Sequence, residues 1–337
     1  MTRDSFFSKK SILITGGTGS FGKTVTKKLL QKYNPGKIII YSRDEFKQFE
    51  MQKDLQHFDQ KKLRFFIGDV RDQDRLNTAM QNVDMVIHTA ALKQVDAAEY
   101  NPMEYVRTNI FGAENVIKAS IENEVKYIIA LSTDKAVNPI NLYGATKLAA
   151  DKIFTAANNI TGSRKTIFSV VRYGNVIGSR GSVQPLFLKL AKEGAKFLPI
   201  TDSQMTRFWI SIDEGVNFVL NCFERMKGGE IFIPKSPSIK IVDLAKAIEP
   251  KAKIKIIGAR PGEKIHETLC HADDAKLTLE FSDHYVIKPS IVFDKAKDYS
   301  KNNKGEIGKK VKDNFIYSSD KNQKFLELKE ISNKLKI

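Results

Sequence analysis

The sequence predicts an α/β protein with a doubly wound parallel sheet and a second, smaller α/β unit. Short runs rich in Val and Ile alternate with longer amphipathic segments up to Arg172, the pattern of repeated strand–helix–strand units. A glycine-rich turn, Gly16–Gly22, follows the first of these runs. Beyond Arg172, loops with clustered Arg, Asn and Glu separate short elements, which indicates a change of architecture.

Composition limits the classes of function. The chain has 337 residues and a net charge of +16. Nucleic-acid binding is one explanation of that charge, but the lysines are spread along the chain and no DNA- or RNA-binding motif occurs. A general lysine bias, with some basic groups facing anionic small ligands, is simpler, so we expect no nucleic-acid partner. We find no metal-ligand spacing.

Targeting signals and disulfide patterns are also missing from the sequence. There is no run of 18 apolar residues and no signal-peptide core at the N-terminus, so we expect no membrane association. Two cysteines, Cys222 and Cys270, are too few for a disulfide framework. We therefore expect a cytoplasmic protein.

The first predicted strand, Ser11–Thr15, leads through Gly16, Gly19 and Gly22 into a predicted helix, 23–30. Glycines at this spacing allow a tight turn with φ > 0 and a close approach of backbone to a pyrophosphate. The helix N-terminus then offers free N–H groups to the anion. The order strand, turn, helix therefore predicts a Rossmann-type dinucleotide site.

The second strand, Lys37–Ser42, ends in residues that indicate the form of the dinucleotide. An acidic residue here binds the ribose 2′-hydroxyl of NAD, whereas Ser and Arg suit the 2′-phosphate of NADP. Ser42 and Arg43 come first and favour NADP, while Asp44 keeps NAD open.

Two further strands, 62–67 and 83–90, place Asp69 near the adenine and the small residue Ala90 beside the cofactor. Lys93 either reaches a substrate phosphate or is solvated. A long helix is expected over 96–121, in which Thr108 faces the cofactor or packs between helices.

The fifth strand, 125–131, enters a polar stretch and then a helix expected over 142–159. Tyr143 and Lys147 are spaced i, i+4 and so share one face of that helix. A lysine beside a phenol favours the phenolate and would lower the pKa of Tyr143, making it a proton acceptor. The alternative for so short a pattern is a tyrosine at a helix start beside a solvated lysine.

A sixth strand is expected over 166–172, so the carboxyl ends of the parallel strands should meet at one edge of the sheet. The glycine turn, Asp69, Ala90, Ser132 and Tyr173 would then line one cleft. Three polar loops, at 173–181, 205–209 and 258–267, suit a polar ligand that bears phosphate, although each alone is compatible with turn chemistry.

Several motifs in order resemble the extended short-chain dehydrogenase/reductase family. They are Thr15–Gly22, Gly68–Asp72, His88–Ala91 and Tyr143-x-x-x-Lys147. Within that family, residues 131–147, 172–182, 205–208 and 260–264 resemble the inverting UDP-N-acetylglucosamine 4,6-dehydratases of pseudaminic acid synthesis. The likeness covers roughly residues 10–290.

This resemblance implies the catalytic roles. Tyr143, assisted by Lys147, would remove the C4 hydroxyl proton, and Thr133 would hydrogen-bond the C4 oxygen. Lys135 would be the base at C5 and Asp134 the acid at the C6 hydroxyl. A lysine acts as a base only when its pKa is depressed, by desolvation or by a neighbouring cation, and Lys147 and the nicotinamide are candidate neighbours.

The resemblance also implies the ligands and their contacts. NADP would contact Gly16, Thr18, Gly19, Ser20, Phe21, Gly22, Ser42, Arg43, Asp44, Lys47, Asp69, Val70, Ala90, Thr108, Tyr143 and Lys147. UDP-N-acetylglucosamine would contact Lys93, Asn175, Val176, Arg180, Arg207, Arg260 and Glu263, with the arginines at the diphosphate and Glu263 at the uridine ribose.

The expected domains are an NADP-binding unit over 1–174, to which 208–236 return, a UDP-sugar unit over 175–207 and 237–290, and a C-terminal extension over 291–337. A homo-oligomer, dimer or hexamer, is implied by the resemblance. The alternatives are a related nucleotide-sugar epimerase, a retaining 4,6-dehydratase, and a non-catalytic NADP-binding regulator.

Overall fold

The structure is a computed structural model that describes residues 6–178, 182–291, 293 and 297–335. The strands are β1 Ser11–Thr15, β2 Lys37–Ser42, β3 Leu63–Ile67, β4 Met85–His88, β5 Tyr127–Thr133, β6 Ile167–Tyr173, β7 Asn175–Val176, β8 Phe197–Ile200, β9 Thr206–Ile210, β10 Ile231–Pro234, β11 Ser238–Lys240, β12 Lys253–Ile256, β13 Thr268–Cys270, β14 Thr278–Glu280, β15 His284–Ile287, β16 Lys309–Lys310 and β17 Tyr317–Ser318.

The helices are α1 Ser20–Lys32, α2 Glu45–Asp54, α3 Gln73–Ala79, α4 Val95–Tyr100, α5 Pro102–Tyr105, α6 Gly112–Glu122, α7 Leu142–Ala156, α8 Val183–Lys192, α9 Ile212–Arg225, α10 Ile241–Ile248 and α11 Leu328–Leu335. Short 3-10 turns occur at Gln60–Lys62, Asp134–Ala136, Ala157–Asn159 and Ala272–Leu277, and a π-helical segment at Val106–Phe111.

The large sheet confirms the predicted fold class. Its parallel part has the order β3-β2-β1-β4-β5-β6-β10, and β15, β14 and β16 extend it in antiparallel pairs. The direction of winding reverses between β1 and β4, the point at which ligands bind in such sheets. Residues 278–287 therefore hydrogen-bond to the large sheet through β10, within the span expected to form the UDP-sugar unit.

Alternation within the apolar strands explains why both faces of the sheet are covered. Ile12 and Ile14 of β1 lie in one hydrophobic cluster, whereas Leu13 between them lies in a second cluster on the opposite face. Ile38, Ile39 and Ile40 in 37–42 are divided in the same way. A strand buried on both faces needs a continuous apolar run, which is why the sequence shows runs rather than alternation.

The long helix expected over 96–121 is wrong, because the structure divides this span. Helix α4 ends at Tyr100, Asn101 caps it, and Pro102, which has no N–H to continue the first helix, begins α5. The π-helical segment then places Thr108 and Asn109 on the inner side, both buried. Asn109 hydrogen-bonds the Leu92 backbone and so packs between elements, whereas Thr108 lines a cavity at this edge of the sheet.

The second unit consists of the sheets β11-β9-β7 and β12-β8 with α8 and α10 around its own apolar core, which includes Phe187, Trp209 and Leu244. The C-terminal segment joins this core through Leu326 and Ile331, and β17 pairs with β13. The described residues of the C-terminal segment are therefore part of the packing of the protein.

Candidate active site

The turn after β1 forms one wall of a cavity of about 580 Å³. Gly16 has φ +64°, and a Cβ there would lie 2.9 Å from the Ala90 backbone nitrogen, so only glycine lets the turn approach this closely. The cavity is lined by the predicted residues Gly16, Thr18, Gly19, Ser20, Phe21, Ser42, Arg43, Asp44, Lys47, Asp69, Val70, Ala90, Thr108, Tyr143 and Lys147. Gly22 instead packs α1 against Gly17.

The far end of this cavity carries the groups predicted to meet the adenosine ribose. Asp44 caps α2, because its carboxylate accepts hydrogen bonds from the Lys47 backbone N–H and from the Lys47 ammonium. The Lys47 hydrogen bonds lower the pKa of Asp44 below its ordinary value. Arg43 lies 3.6 Å from Asp69 with half of its side chain exposed.

Strand β5 ends at the cavity with Thr133, and Asp134 and Lys135 follow in a 3-10 turn. Thr133 Oγ1 donates to Asp134 Oδ1 at 2.9 Å, and Lys135 Nζ donates to the same oxygen at 3.0 Å. The Asp134 side chain is 1% exposed, and its other oxygen, Oδ2, has no hydrogen-bond partner. A buried carboxylate oxygen without a partner next to a cavity is a place for a ligand donor.

Tyr143 and Lys147 lie on α7 at the same edge of the sheet. Burial raises the pKa of Tyr143 to about 12, while the Lys135 cation and a hydrogen bond with Thr133 act against that rise. The expected lowering of this pKa by Lys147 is therefore wrong for the structure. Lys147 Nζ donates to the Leu131 carbonyl at 2.7 Å.

The Lys135 ammonium lies between two buried carboxylates. Besides Asp134, it contacts Glu267 Oε1 at 3.2 Å, and the Glu267 side chain is 3% exposed. Burial alone would lower the pKa of Lys135, but Asp134 and Glu267 outweigh burial and raise this pKa above its ordinary value. The sequence argument, which required a depressed pKa, is wrong here. It also missed Glu267, for which the polar motif 258–267 was the one available signal.

A second cavity, of about 570 Å³, adjoins the first, and Lys93, Lys135 and Asn175 line both. Of the predicted substrate residues, Lys93, Asn175, Arg207, Arg260 and Glu263 line the second cavity and Val176 lines the first. Arg180 lies outside the described residues. The sheet edge thus brings the two predicted ligand sites into one continuous cleft.

Polar atoms without partners are concentrated along this cleft. Thr108 Oγ1 is buried and unpaired beside the first cavity, and Asn175 Oδ1 and Ser182 Oγ are unpaired at both. Such atoms are costly unless a ligand or water meets them. With the glycine turn, Thr108 makes the first cavity a fitting site for a nicotinamide dinucleotide, and the other two suit a polar ligand.

Arg207, which the resemblance places at the diphosphate, also makes structural hydrogen bonds. Its guanidinium donates to three backbone carbonyls, those of Thr206, Lys264 and Ile265, at 2.7 to 2.9 Å. Arg207 therefore holds the loop 260–267 against β9 as well as lining the cavity. Within the described parts of the chain, no group of three His, Cys, Asp or Glu residues is arranged to bind a metal, and Cys222 and Cys270 are buried free thiols.

The fold and the site define the class of the protein. A parallel sheet with a glycine turn, and a Tyr143/Lys147 pair facing it, are the features of an extended short-chain dehydrogenase/reductase. The chain belongs to the family described as polysaccharide biosynthesis protein, whose model matches residues 12–289.

Two curated relatives and one solved structure show which named proteins this chain is similar to. A Campylobacter jejuni protein named UDP-N-acetylglucosamine 4,6-dehydratase (inverting) is 64% identical, covering 96% of this chain and 97% of its own. A Rickettsia canadensis UDP-glucose 4-epimerase is 44% identical over 83% of each chain. The X-ray structure of Pen from Bacillus thuringiensis has a TM-score of 0.87 and 38% identity, covering 98% of each chain. In the described residues, no helix combines the length and the apolar character needed to cross a membrane.

Proposed function

We propose that this protein is an NADP-dependent UDP-N-acetylglucosamine 4,6-dehydratase that inverts C5. The observation that carries the proposal is the Asp134–Lys135 pair, 3.0 Å apart, at the junction of the two cavities and beside Tyr143. Besides a hydride acceptor, oxidation at C4 needs one base, Tyr143, whereas loss of water across C5 and C6 needs a second base and an acid. The named activity of the C. jejuni relative, at 64% identity, supports the same assignment.

The first step falls to Tyr143. Its phenolate takes the C4 hydroxyl proton, and Thr133 hydrogen-bonds the C4 oxygen. Since burial raises the pKa of Tyr143 to about 12, the phenolate forms only with help from nearby positive charge, and the Lys135 cation lowers this pKa. When bound, NADP supplies the hydride acceptor for C4 and the hydride donor for C6.

The second step falls to Lys135 and Asp134. The ammonium of Lys135 passes one proton to Asp134 along their 3.0 Å contact, which produces the amine base and the carboxylic acid together. The amine removes the C5 proton, which the 4-keto group acidifies, and Asp134 protonates the departing C6 hydroxyl, so water leaves. The contact that raises the pKa of Lys135 holds the proton on the lysine at rest, so in this proposal the amine and the carboxylic acid form only during the reaction. After hydride has returned to C6, a solvent proton adds to the opposite face of C5 and inverts that centre, and Tyr143 gives the proton that it took from the C4 hydroxyl back to solvent.

The second cavity holds the nucleotide sugar in this proposal. Arg260 and Arg207 supply positive charge for the diphosphate, and Glu263 accepts from the uridine ribose. Asn175 Oδ1, buried and unpaired, is available to a sugar donor. Lys93 lies where the cavities meet, and burial, reinforced by the Lys135 cation, lowers the pKa of Lys93.

The preference for NADP rests on the ribose end of the first cavity. Asp44 is already engaged by Lys47, and the half-exposed guanidinium of Arg43 is available to a phosphate. Substituting Arg43→Ala should weaken NADP binding about tenfold or more and leave NAD binding nearly unchanged, measured by titration calorimetry. Arg64→Ala, on β3 outside the cavity, is the matched control. Equal losses for both cofactors would contradict the preference.

The proposed reaction is tested by proton NMR in D₂O with UDP-N-acetylglucosamine and NADP. We expect a 4-keto, 6-deoxy product with deuterium at C5 and an L-arabino ring. A D-xylo product would make the enzyme a retaining dehydratase. Interconversion of the C4 epimers without loss of water would instead support the epimerase activity named for the R. canadensis relative.

Three parts of the proposal concern the protein in its cell. A cytoplasmic location and a role at the start of pseudaminic acid synthesis follow from the resemblance. A dimer or hexamer is expected on the same basis, and light scattering of the purified protein would distinguish either from a monomer.

A further inference from the structure

Glu267 is a buried carboxylate of the cleft to which the reaction outlined above gives no role. Its Oε1 atom lies 3.2 Å from Lys135 Nζ and 3.9 Å from Arg207 Nε. Its Oε2 atom is buried and has no hydrogen-bond partner, and the residue lines the second cavity. Leaving a carboxylate oxygen buried and unsatisfied costs free energy, so a packing role alone does not account for it.

The backbone of Glu267 is fixed from a distant part of the chain. Its N–H donates to Ser319 Oγ at 2.9 Å, and its carbonyl accepts from the Ser319 N–H at 2.8 Å. Both residues are buried, and β13, which begins directly after Glu267, pairs with β17. The carboxylate is therefore held at a set position relative to Lys135 rather than carried on a free loop.

We propose that Glu267 is a positioning residue for Lys135, orienting the amine toward C5 and stabilising the ammonium formed when the C5 proton is taken. This inference rests on the proposed function. Once Lys135 has passed its proton to Asp134, one N–H of the amine turns toward Glu267 Oε1, 3.2 Å away, which directs the lone pair away from that carboxylate and into the cavity.

The proton balance of the step is simple. The C5–H bond breaks, an N–H bond forms on Lys135, and the electron pair remains on the substrate as the enolate of the 4-keto group. The positive charge that appears on Lys135 then faces the Glu267 carboxylate. A carboxylate that orients a base and stabilises its charged form is the arrangement of hydrolytic triads, with a lysine here in place of the histidine.

The pH dependence of Lys135 follows from all the charged and titratable groups that face it. These groups are Asp134 and Tyr143 on its own side of the cleft, Lys93 from the loop before α4, Arg207 on β9, and Lys264 and Glu267 on the adjoining loop. Removing the charge of Glu267 leaves one carboxylate to hold the proton on Lys135. The pKa of Lys135 should therefore fall, and the ascending limb of C5 deprotonation should move to lower pH.

The test uses the full-length protein carrying Glu267→Gln, which keeps the shape and removes the charge. Two steps are measured separately in single turnovers: the absorbance of reduced cofactor for C4 oxidation, and solvent deuterium exchange at C5 by NMR. We expect C5 exchange to fall about 100-fold while C4 oxidation changes less than about threefold, because Glu267 acts only on the base of the second step. The ascending limb of the pH–rate profile for C5 exchange should move to lower pH.

Two variants complete the design. Glu267→Asp restores the charge one methylene farther away, and should return the pH limb toward that of the unmodified protein. Glu280→Gln removes a half-exposed carboxylate paired with Lys235, outside the cleft, and should change neither step. Equal losses in both steps, or an unmoved pH limb in Glu267→Gln, would overturn the positioning role.

A measurement without turnover separates this inference from the proposed function. In protein labelled with ¹³C at the lysine ε-carbons, and with Lys135→Met to assign the signal, the pKa of Lys135 should be lower in Glu267→Gln than in the unmodified chain. An unchanged pKa would overturn the inference. If the pKa falls but the unmodified protein shows no C5 exchange, the proposed dehydratase function fails and the ion pair stands.

Discussion

At the scale of single residues, two lysines of the site show how the surroundings of a side chain decide its chemistry. Burial lowers the pKa of Lys147, with Asp151 acting in the opposite direction. The pKa of Lys135 is raised, because Asp134 and Glu267 outweigh its burial. Lys147 is thus a fixed hydrogen-bond donor to the Leu131 carbonyl, whereas Lys135 is an ammonium group that donates to the Asp134 carboxylate.

Substitutions of Tyr143 and Lys135 should block different steps. Tyr143→Phe removes the first base, so no reduced cofactor should accumulate with substrate. Lys135→Ala should still allow reduced cofactor to form, although more slowly, because loss of the Lys135 cation raises the pKa of Tyr143 further. Deuterium exchange at C5 should fall by about 10³-fold or more in Lys135→Ala. Both quantities can be followed in one stopped-flow and NMR series.

The control for this pair is Lys152→Ala, an exposed lysine on the outer face of α7, for which both steps should be unchanged. Reduced cofactor accumulating in Tyr143→Phe would contradict the role of the tyrosine. Normal C5 exchange in Lys135→Ala would remove the assignment of the base.

The sequence could predict contacts between residues that lie close together along the chain. Tyr143 and Lys147 share a helix face by spacing alone, and Thr133, Asp134 and Lys135 are consecutive, so their proximity needs no knowledge of the fold. Glu267 reaches Lys135 only because the loop before β13 packs across the end of β5. No periodicity in the sequence encodes such a contact, and the direction of the Lys135 pKa shift depends on it.

At the scale of elements, predictability followed the strength of the local signal. The run 37–42 is a strand with the expected limits, because three consecutive isoleucines suit a strand buried on both faces. Helix α1 is longer than the expected 23–30, since it begins inside the glycine turn at Ser20. The π-helical segment 106–111 was missed, because side-chain periodicity barely distinguishes one π turn from a continuing α-helix.

Helix α7 contains a glycine that lets the 134–136 turn lie close to the helix that carries Tyr143. A Cβ on Gly144 would lie 2.2 Å from the Lys135 carbonyl oxygen. Gly144→Ala should therefore push the 134–136 turn away from Tyr143. We expect a loss of stability of about 1–3 kcal/mol from this overpacking, measured by urea unfolding, together with loss of C5 exchange.

The matched control is Gly215→Ala in α9, where no atom lies within 4 Å of the added Cβ. Alanine should raise stability there by about 0.5–1 kcal/mol, because it is the better helix former, and activity should be unchanged. Equal stability effects at the two glycines would show that the contact with Lys135 is not tight.

At the scale of the whole molecule, the described part of the C-terminal segment packs against both faces of the large sheet and against the core of the second unit. Tyr299 and Tyr317 lie in the two clusters on opposite faces of the large sheet, and Ile331 lies in the core of the second unit. The sequence of this segment is rich in Lys and Asn with scattered aromatics, so its role was not apparent. Each described element of this segment is short and packs against residues that lie earlier in the chain.

Ser319 is the point at which this segment meets the active site. Its buried hydroxyl accepts the Glu267 backbone N–H at 2.9 Å and shares a hydrogen bond with Thr206 Oγ1 at 2.7 Å. Ser319→Ala leaves a buried N–H without a partner, so stability should fall by about 1–3 kcal/mol in urea unfolding. C5 exchange should fall with it, because Glu267 is no longer held against Lys135, while NADP affinity should be unchanged.

Ser300→Ala, which removes hydroxyl hydrogen bonds to the exposed Asp298, is the control and should alter stability by less than about 0.5 kcal/mol. A loss of NADP affinity as large as the loss of exchange would mean that the segment supports the fold in general. A loss of C5 exchange without a loss of NADP affinity would show that the C-terminal segment sets the position of Glu267 relative to Lys135.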